Sequence, residues 1–389
     1  MKKNQLALNK SILDYVRVLY NEKSSFIPLH RPVFYGNEKQ YLADCIDSNF
    51  VSSAGEKVTD FERKIADLTD SKFAIATVNG TLALHMCLHL SGVKDGDEVI
   101  TQALTFVATG NAISYCGANP IFLDVDNDTM GLSPFSMKLF LEKNAEIKNG
   151  VTYNKNTQRI IKACVPMHTF GFPCRINEIS EICNKWNIAL IEDAAESLGS
   201  YFENRHTGSF GRLAAISFNG NKIITTGGGG MIITDDEDLA KRAKHLTTTA
   251  KVPHAYEFVH DEIGYNYRMP NLNAALGCAQ LEKLVWMLEQ KKEIADRYAE
   301  FFEDLGIKML KAIESANPNN WLNAIILNSK EERDDFLSFT NENGVMTRPV
   351  WRLLSDLKMF QGFQTDGLKN SKWIEARVVN LPSSVPIKA

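Results

Sequence analysis

The chain has 389 residues, enough for a large α/β core with a smaller appended unit or for two or three domains. Its 43 lysines and arginines against 47 acidic residues give a formal net charge of -4, which argues against a polyanionic partner such as nucleic acid. Seven scattered cysteines form no CxxC or Cys/His pattern suited to zinc, and they read as reduced thiols of a cytoplasmic protein.

At the N-terminus, "MKKNQLALNKSILDYVRVLYNEKSS" is interrupted by Lys10, Asp14 and Arg17 before any signal-peptide core can form, so export by that route is not expected. No apolar stretch approaches the roughly 18 to 20 residues that span a bilayer, and no membrane association is expected. Leu6, Ile12, Leu13, Val16 and Leu19 recur at near-helical spacing, which predicts an amphipathic helix packed on the body of the protein, an extension covering residues 1–26.

From about residue 55 to 250, β-rich runs alternate with helical patterns. "FAIATV" precedes the helix in "LALHMCLHL", "DEVITQ" precedes "FVATGNAISYCG", and "IIKACVPM" precedes "INEISEICNKWN", after which comes "IALIED". The alternation predicts a mainly parallel sheet covered by helices, with ligand at the C-terminal edge of the strands. A helical pattern then runs from Asn271 to Gly306. Beyond it, "WLNAIILN", "KEERDDFLSFTNENG" and "NLPSSVP" predict a smaller α+β unit, so the division expected is 27–300 and 301–389.

Three stretches could carry chemistry. In "TVNGTLALH" a strand stops at Asn79-Gly80-Thr81 and an apolar helix begins, a pattern that suits a phosphate cradle and equally a capped helix after a tight turn. In "IALIEDAAESLG", Asp193 follows a buried strand, where a carboxylate can meet a protonated ring nitrogen or simply cap a helix. In "SFNGNKIITTGGGG", Ser217 ends a strand and Lys222 lies in the loop before four glycines. The order Asn221-Lys222-Ile223 does not fit G-x-x-x-x-G-K-[ST], which removes the NTPase phosphate loop. Lys222 is then either a solvated charge or an amine held in a partly desolvated site and able to attack a carbonyl. Pyridoxal phosphate needs all three features together: a phosphate cradle, an amine for its aldehyde and a carboxylate for its ring nitrogen. Phe106, in "LTFVATGN", offers a flat face to its ring, or a core side chain.

With these residues assembled, the chain resembles the DegT/DnrJ/EryC1 sugar aminotransferases, members of the fold-type-I pyridoxal-phosphate enzymes. The likeness runs in order and spacing through "IPLHRPVFYGNE", "FVSSAGEKVTDFE", "NGTLALH", "TFVATGNAI", "PIFLDVD", "EDAAESLG", "SFNGNKIITTGGGGM", "GYNYRMPNLNAALGCAQLE", "VMTRPVW" and "NLPSSVP". It implies a large domain with a mainly parallel seven-stranded sheet and a smaller C-terminal α+β domain. Lys222 would form the Schiff base and carry protons, and Asp193 would partner the pyridine nitrogen. Gly80, Thr81 and Ser217 would hold the phosphate, Phe106 would stack on the ring, and Glu196 would lie near the phenolic oxygen. Asn266 would reach the neighbouring chain's cofactor, implying a homodimer with shared active sites.

The resemblance further implies glutamate as donor, leaving as 2-oxoglutarate, and a nucleotide-linked keto sugar as acceptor. A UDP-linked 4-keto-6-deoxy-N-acetylhexosamine aminated at C4 for bacterial surface glycans is the expectation. Amination at C3 of another nucleotide-linked keto sugar, and a non-catalytic cofactor-binding regulatory protein, are the alternatives. Ser53, Arg348 and Trp351 are candidate sugar or diphosphate contacts. His168, in "PMHTFG", is a further site candidate or a satisfied structural histidine. Relatives often read TGEGG where this chain has Gly227 to Gly230, and Gly-Asp where it has Gly211-Arg212. Neither difference removes a group from the proposed chemistry.

Overall fold

The computed structural model describes residues 2–53 and 55–386, the side chains of 2–4 excepted. Seven strands, β1 (Phe73–Thr77), β2 (Glu98–Gln102), β3 (Asn119–Leu123), β4 (Ile161–Val165), β5 (Ala189–Asp193), β6 (Leu213–Ser217) and β7 (Gly230–Thr234), form one sheet. Its order is β1-β7-β6-β5-β4-β2-β3. Neighbours from β6 to β3 pair in parallel, and β7 alone runs against both its neighbours. Strands β2 and β7 are buried along their whole length, as expected of a sheet with helices on both faces.

The helices that bear on the site are α1 (Lys2–Leu19), α2 (Gly80–Leu90), α3 (Val107–Tyr115), α4 (Asn271–Leu281), α5 (Leu284–Asp304), α6 (Lys330–Glu342) and α7 (Lys369–Glu375). Helix α2 starts where the Asn79 side chain accepts the Leu82 N–H at 2.9 Å. Residues Ala83 to Leu88 are then all buried, so this is a core helix rather than a surface one. The helical pattern that reads continuously from Asn271 to Gly306 is two helices, separated at Glu282-Lys283 by a turn in which the Lys283 N–H donates to the Gln280 carbonyl. Among the described residues no helix is long and apolar enough to cross a membrane.

The glycine run has a steric role. A Cβ on Gly230 would lie 2.4 Å from the Asn79 carbonyl oxygen, and one on Gly80 would lie 2.7 Å from the Ser217 Cβ. Strand β7 can therefore enter beside β1, and the first turn of α2 can press against the end of β6, only because both positions lack a side chain.

The smaller sheet is antiparallel, with β8 (Lys308–Met309), β9 (Asn323–Ile326), β10 (Arg348–Pro349) and β11 (Val378–Leu381) in the order β8-β9-β11-β10. Its core includes Ile325, Val379 and Leu381 of the sheet, Phe336 of α6, and Ile294, Tyr298 and Phe302 of α5. Ile12, Leu13, Val16 and Leu19 of α1 enter the same core, while Leu6 stays exposed. The N-terminal helix thus completes the C-terminal unit, and residue 300 falls inside α5, whose buried residues run on to Phe302.

A buried carboxylate ties the chain's last helix to the large sheet. Asp124, just after β3, accepts from the backbone N–H groups of Asn370 and Ser371, each at 2.7 Å, and from the Ser371 hydroxyl at 2.6 Å. It caps α7 from outside that helix, and its own N–H donates to Asp366 Oδ2 at 3.0 Å, which ties down the loop before α7 as well. Replacing Asp124 by Ala leaves these donors without an acceptor and should cost about 2 to 4 kcal/mol, read as a lower urea midpoint and faster proteolysis between residues 350 and 370.

Candidate active site

Strand β5 delivers Asp193 to the floor of a cleft of about 320 Å³, which Trp321 and Trp351 of the C-terminal unit help to line. Asp193 is 5% exposed. The Thr109 hydroxyl donates to its Oδ2 at 2.7 Å and the Ala195 N–H to its Oδ1 at 3.2 Å. Burial raises this carboxyl above its ordinary value, and the two donors together with the Lys222 charge pull against that rise.

Lys222 lies in the loop after β6, with its side chain 13% exposed. Its Nζ is 3.2 Å from Glu196 Oε1 and 4.0 Å from the ring centroid of Trp321. The other oxygen of Glu196 accepts the Phe170 N–H at 2.9 Å. Phe170 is fully buried at φ +58°, a left-handed conformation that costs a non-glycine residue about 1 to 2 kcal/mol. Burial pushes the Glu196 carboxyl up to about 7, with Lys222 the main opposing influence.

On another wall, Gly80 and Thr81 form the first turn of α2 beside Ser217. First-turn N–H groups have no acceptor within their own helix, and with the two hydroxyls they make a cradle for an anion. Phe106 precedes α3, is half exposed and also lines the cleft. The cleft therefore offers a phosphate cradle, an amine, a buried carboxylate and an aromatic face, the donor set that pyridoxal phosphate requires.

Fold and donor set together define a fold-type-I pyridoxal-phosphate enzyme. The chain belongs to the DegT/DnrJ/EryC1/StrS aminotransferase family, whose profile matches residues 34–389. It is 36% identical over 360 residues to the GDP-perosamine synthase of Escherichia coli O157:H7, covering 92% of this chain and 93% of that one. It is also 36% identical over 335 residues to EpsN of Bacillus subtilis, whose name provisionally assigns it to the pyridoxal phosphate-dependent aminotransferases, covering 86% of this chain and 84% of that one. Among solved structures it matches PseC of Helicobacter pylori, an aminotransferase of pseudoaminic acid biosynthesis, with TM-score 0.83, 22% identity and coverage of 92% and 94%. At that identity the likeness is one of fold. The protein is a pyridoxal-phosphate-dependent sugar aminotransferase.

Of the residues singled out in the sequence, Lys222, Asp193, Glu196, Gly80, Thr81, Ser217, Phe106 and Trp351 all line this cleft. Four others are not among its lining residues. His168 is fully buried, with Nε2 3.0 Å from Glu192 Oε2 and Nδ1 accepting the Cys174 N–H at 3.3 Å, so both ring nitrogens are engaged away from the cleft. Burial opposes a charge on this ring while Cys174 and Glu192 beside it favour one; with Nδ1 taken up as an acceptor and Nε2 facing Glu192, the ring is a structural bridge between the two. Ser53 is half-buried in the turn before the helix that starts at Glu56. Arg348 is exposed on β10, its guanidinium 3.4 Å from Asn341 Oδ1. Asn266 is exposed and bridges to Thr248. Trp321, Asn219 and Asn221 line the cleft without having been singled out. Both asparagines lie within three positions before Lys222 in sequence, a signal that was available, whereas Trp321 lies 99 positions beyond Lys222 in an apolar strand pattern that gives no local sign of a site.

Because folding raises the Glu196 carboxyl from its ordinary value to about 7, the folded state binds more protons than the unfolded one between those limits, and stability falls as pH rises through that window. Glu196→Gln removes this contribution. The difference in melting temperature between Glu196→Gln and wild type, both free of cofactor, should therefore move in the variant's favour from pH 5 to pH 8; an unchanged difference would contradict the assignment.

Proposed function

We propose that this enzyme transfers the amino group of glutamate to C4 of a nucleoside-diphosphate-linked 4-keto-6-deoxy sugar, a step in bacterial surface glycan synthesis. The observation that carries the reading is the convergence of Lys222, Asp193 and Glu196 in one cleft that also holds the first turn of α2. When bound, pyridoxal phosphate supplies an electron sink conjugated to its aldehyde carbon. The chain's own groups do the rest. Lys222 would be the residue that holds the cofactor at its aldehyde carbon and, when free, would carry a proton at its Nζ; Asp193 would face the ring nitrogen and favour its protonated form. Gly80, Thr81 and Ser217 would hold the phosphate, Phe106 would cover the ring face, and Glu196 would orient the amine.

The acceptor proposed is UDP-linked and N-acetylated, supported by the "SFNGNKIITT" block around Lys222. A GDP-linked sugar is the second reading, favoured by the names of the relatives in Escherichia coli and in Vibrio cholerae, the latter a GDP-perosamine synthase 34% identical over 360 residues, covering 92% of this chain and 94% of that one. Trp351 is the candidate sugar contact inside the cleft, with Ser53 and Arg348 as candidates further out. The test is an assay of both keto sugars with glutamate as donor, together with borohydride trapping and peptide mapping. The adduct is expected on Lys222, turnover on the UDP-linked sugar, and a loss of roughly 10² to 10⁴-fold in Lys222→Ala. An adduct on another residue would refute the catalytic assignment, and turnover on the GDP-linked sugar alone would decide for the second reading.

The enzyme is further proposed to work as a homodimer in which Asn266 serves the partner's cofactor. Asn266 stands outside its own cleft, in a segment whose Tyr256, Phe258 and Ile263 are each more than 80% exposed, an apolar surface that calls for cover. Chains carrying Lys222→Ala and Asn266→Ala should each be weak alone, yet a random equal mixture of them should recover roughly a quarter of wild-type activity through hybrid dimers with one intact site. No recovery after verified subunit exchange would place Asn266 in its own chain's site or in none.

A further inference from the structure

Trp321 enters the cleft just ahead of β9, and three hydrogen bonds fix it there. Its indole N–H donates to the Asn221 carbonyl at 2.6 Å, its backbone N–H donates to Asn319 Oδ1 at 2.9 Å, and its carbonyl accepts from the buried Lys291 amine at 2.7 Å. Asn319 in turn donates through its side chain to the Glu196 and Leu198 carbonyls at 2.8 and 2.9 Å, and through its backbone to the Ser200 hydroxyl at 2.9 Å. One short stretch, residues 319–321, therefore grips the backbone on both sides of the Lys222–Glu196 pair. The tryptophan is only 4% exposed, and its ring face lies against the Lys222 amine.

We infer that the face of Trp321 is the holding position of the Lys222 amine whenever that amine is not covalently engaged. The inference rests on Lys222 being the Schiff-base lysine. Each half of the reaction releases that amine on a long, rotamer-rich side chain in a cleft open to solvent, and each half needs it back beside the reacting carbon. An aromatic face attracts an ammonium group with little directional constraint and gives it no proton acceptor to bond. Glu196 on the other side supplies the directional contact. Between ring and carboxylate, the amine is kept near its working position without being locked, which shortens the search for a reactive geometry. Trp321 is thus a positioning residue, acting through Lys222.

The test compares holoenzymes of wild type, Trp321→Phe, which keeps a ring, and Trp321→Leu, which does not, with Trp321→Met replacing the leucine variant if that one does not fold. Borohydride trapping first locates the adduct; if the wild-type adduct is not on Lys222, the underlying reading fails and the inference with it. If it is, excess glutamate converts the cofactor to its pyridoxamine form, and reductive methylation of the freed Lys222 is followed by peptide mass mapping. In the variant without a ring, labelling of Lys222 should be at least about threefold faster and kcat about tenfold lower, with KM for glutamate within about threefold of wild type. The α-deuterium isotope effect on the glutamate half reaction should rise as well, because proton transfer by a wandering amine becomes the slow step. Trp321→Phe keeps the ring but loses the indole N–H bond to the Asn221 carbonyl, so it should show only a small part of each change and lie much nearer wild type than the ringless variant. Wild-type labelling and isotope effect without the ring, or equal losses in the phenylalanine variant, overturn the inference while leaving Lys222 as the Schiff-base residue.

Discussion

The cleft depends on a buried ion pair that no one segment of chain could hold. Lys222 and Glu196 meet with side chains 13% and 2% exposed, and taking two charges out of water costs several kcal/mol per ion unless other polar groups surround them. The structure supplies those groups from distant parts of the sequence. Phe170 gives a backbone N–H from a left-handed conformation, Asn319 ties down the Glu196 carbonyl, and Trp321 braces the loop that carries the lysine. Strain at Phe170 is tolerable because its neighbours over-determine it, a pattern typical of sites where geometry matters more than local ease.

The same economy governs the sheet. Reversing β7 between β1 and β6 brings Gly230 and Gly80 into contact with backbone and side-chain atoms that any Cβ would displace. That close approach seats the first turn of α2 next to Ser217, beside the strand ends where Asp193 and Lys222 emerge. Gly230 and Gly80 therefore serve the packing that sets this wall of the cleft, and the glycine run is no phosphate loop of the NTPase kind. The C-terminal unit then closes the arrangement. It is locked to the large sheet by Asp124, its core is completed by α1, and it brings both tryptophans to the cleft.

Much of this was legible in the residues. The strand and helix alternation up to β6 rests on short-range apolar patterning, and the structure follows it. The groups at strand ends, Asp193, Ser217 and Lys222, were visible because a parallel sheet puts its ligands at one edge. Less was legible where neighbours far along the chain decide. His168 ends a strand just as a site residue would, yet a carboxylate from the next strand and a cysteine a few residues on claim both its nitrogens. The pattern from Asn271 to Gly306 has helical periodicity throughout, and periodicity alone cannot show the turn that divides it.

By itself the sequence determined the fold class, the family and the chemical inventory of the cleft, because apolar period and residue type at strand ends are local properties carried by short stretches of chain. Only the tertiary structure decided which of those groups share one volume, that Trp321 stands over the lysine, and that the N-terminal helix belongs to the C-terminal core. Those outcomes depend on contacts between residues up to hundreds of positions apart, where burial and hydrogen-bond satisfaction, rather than local pattern, select the arrangement.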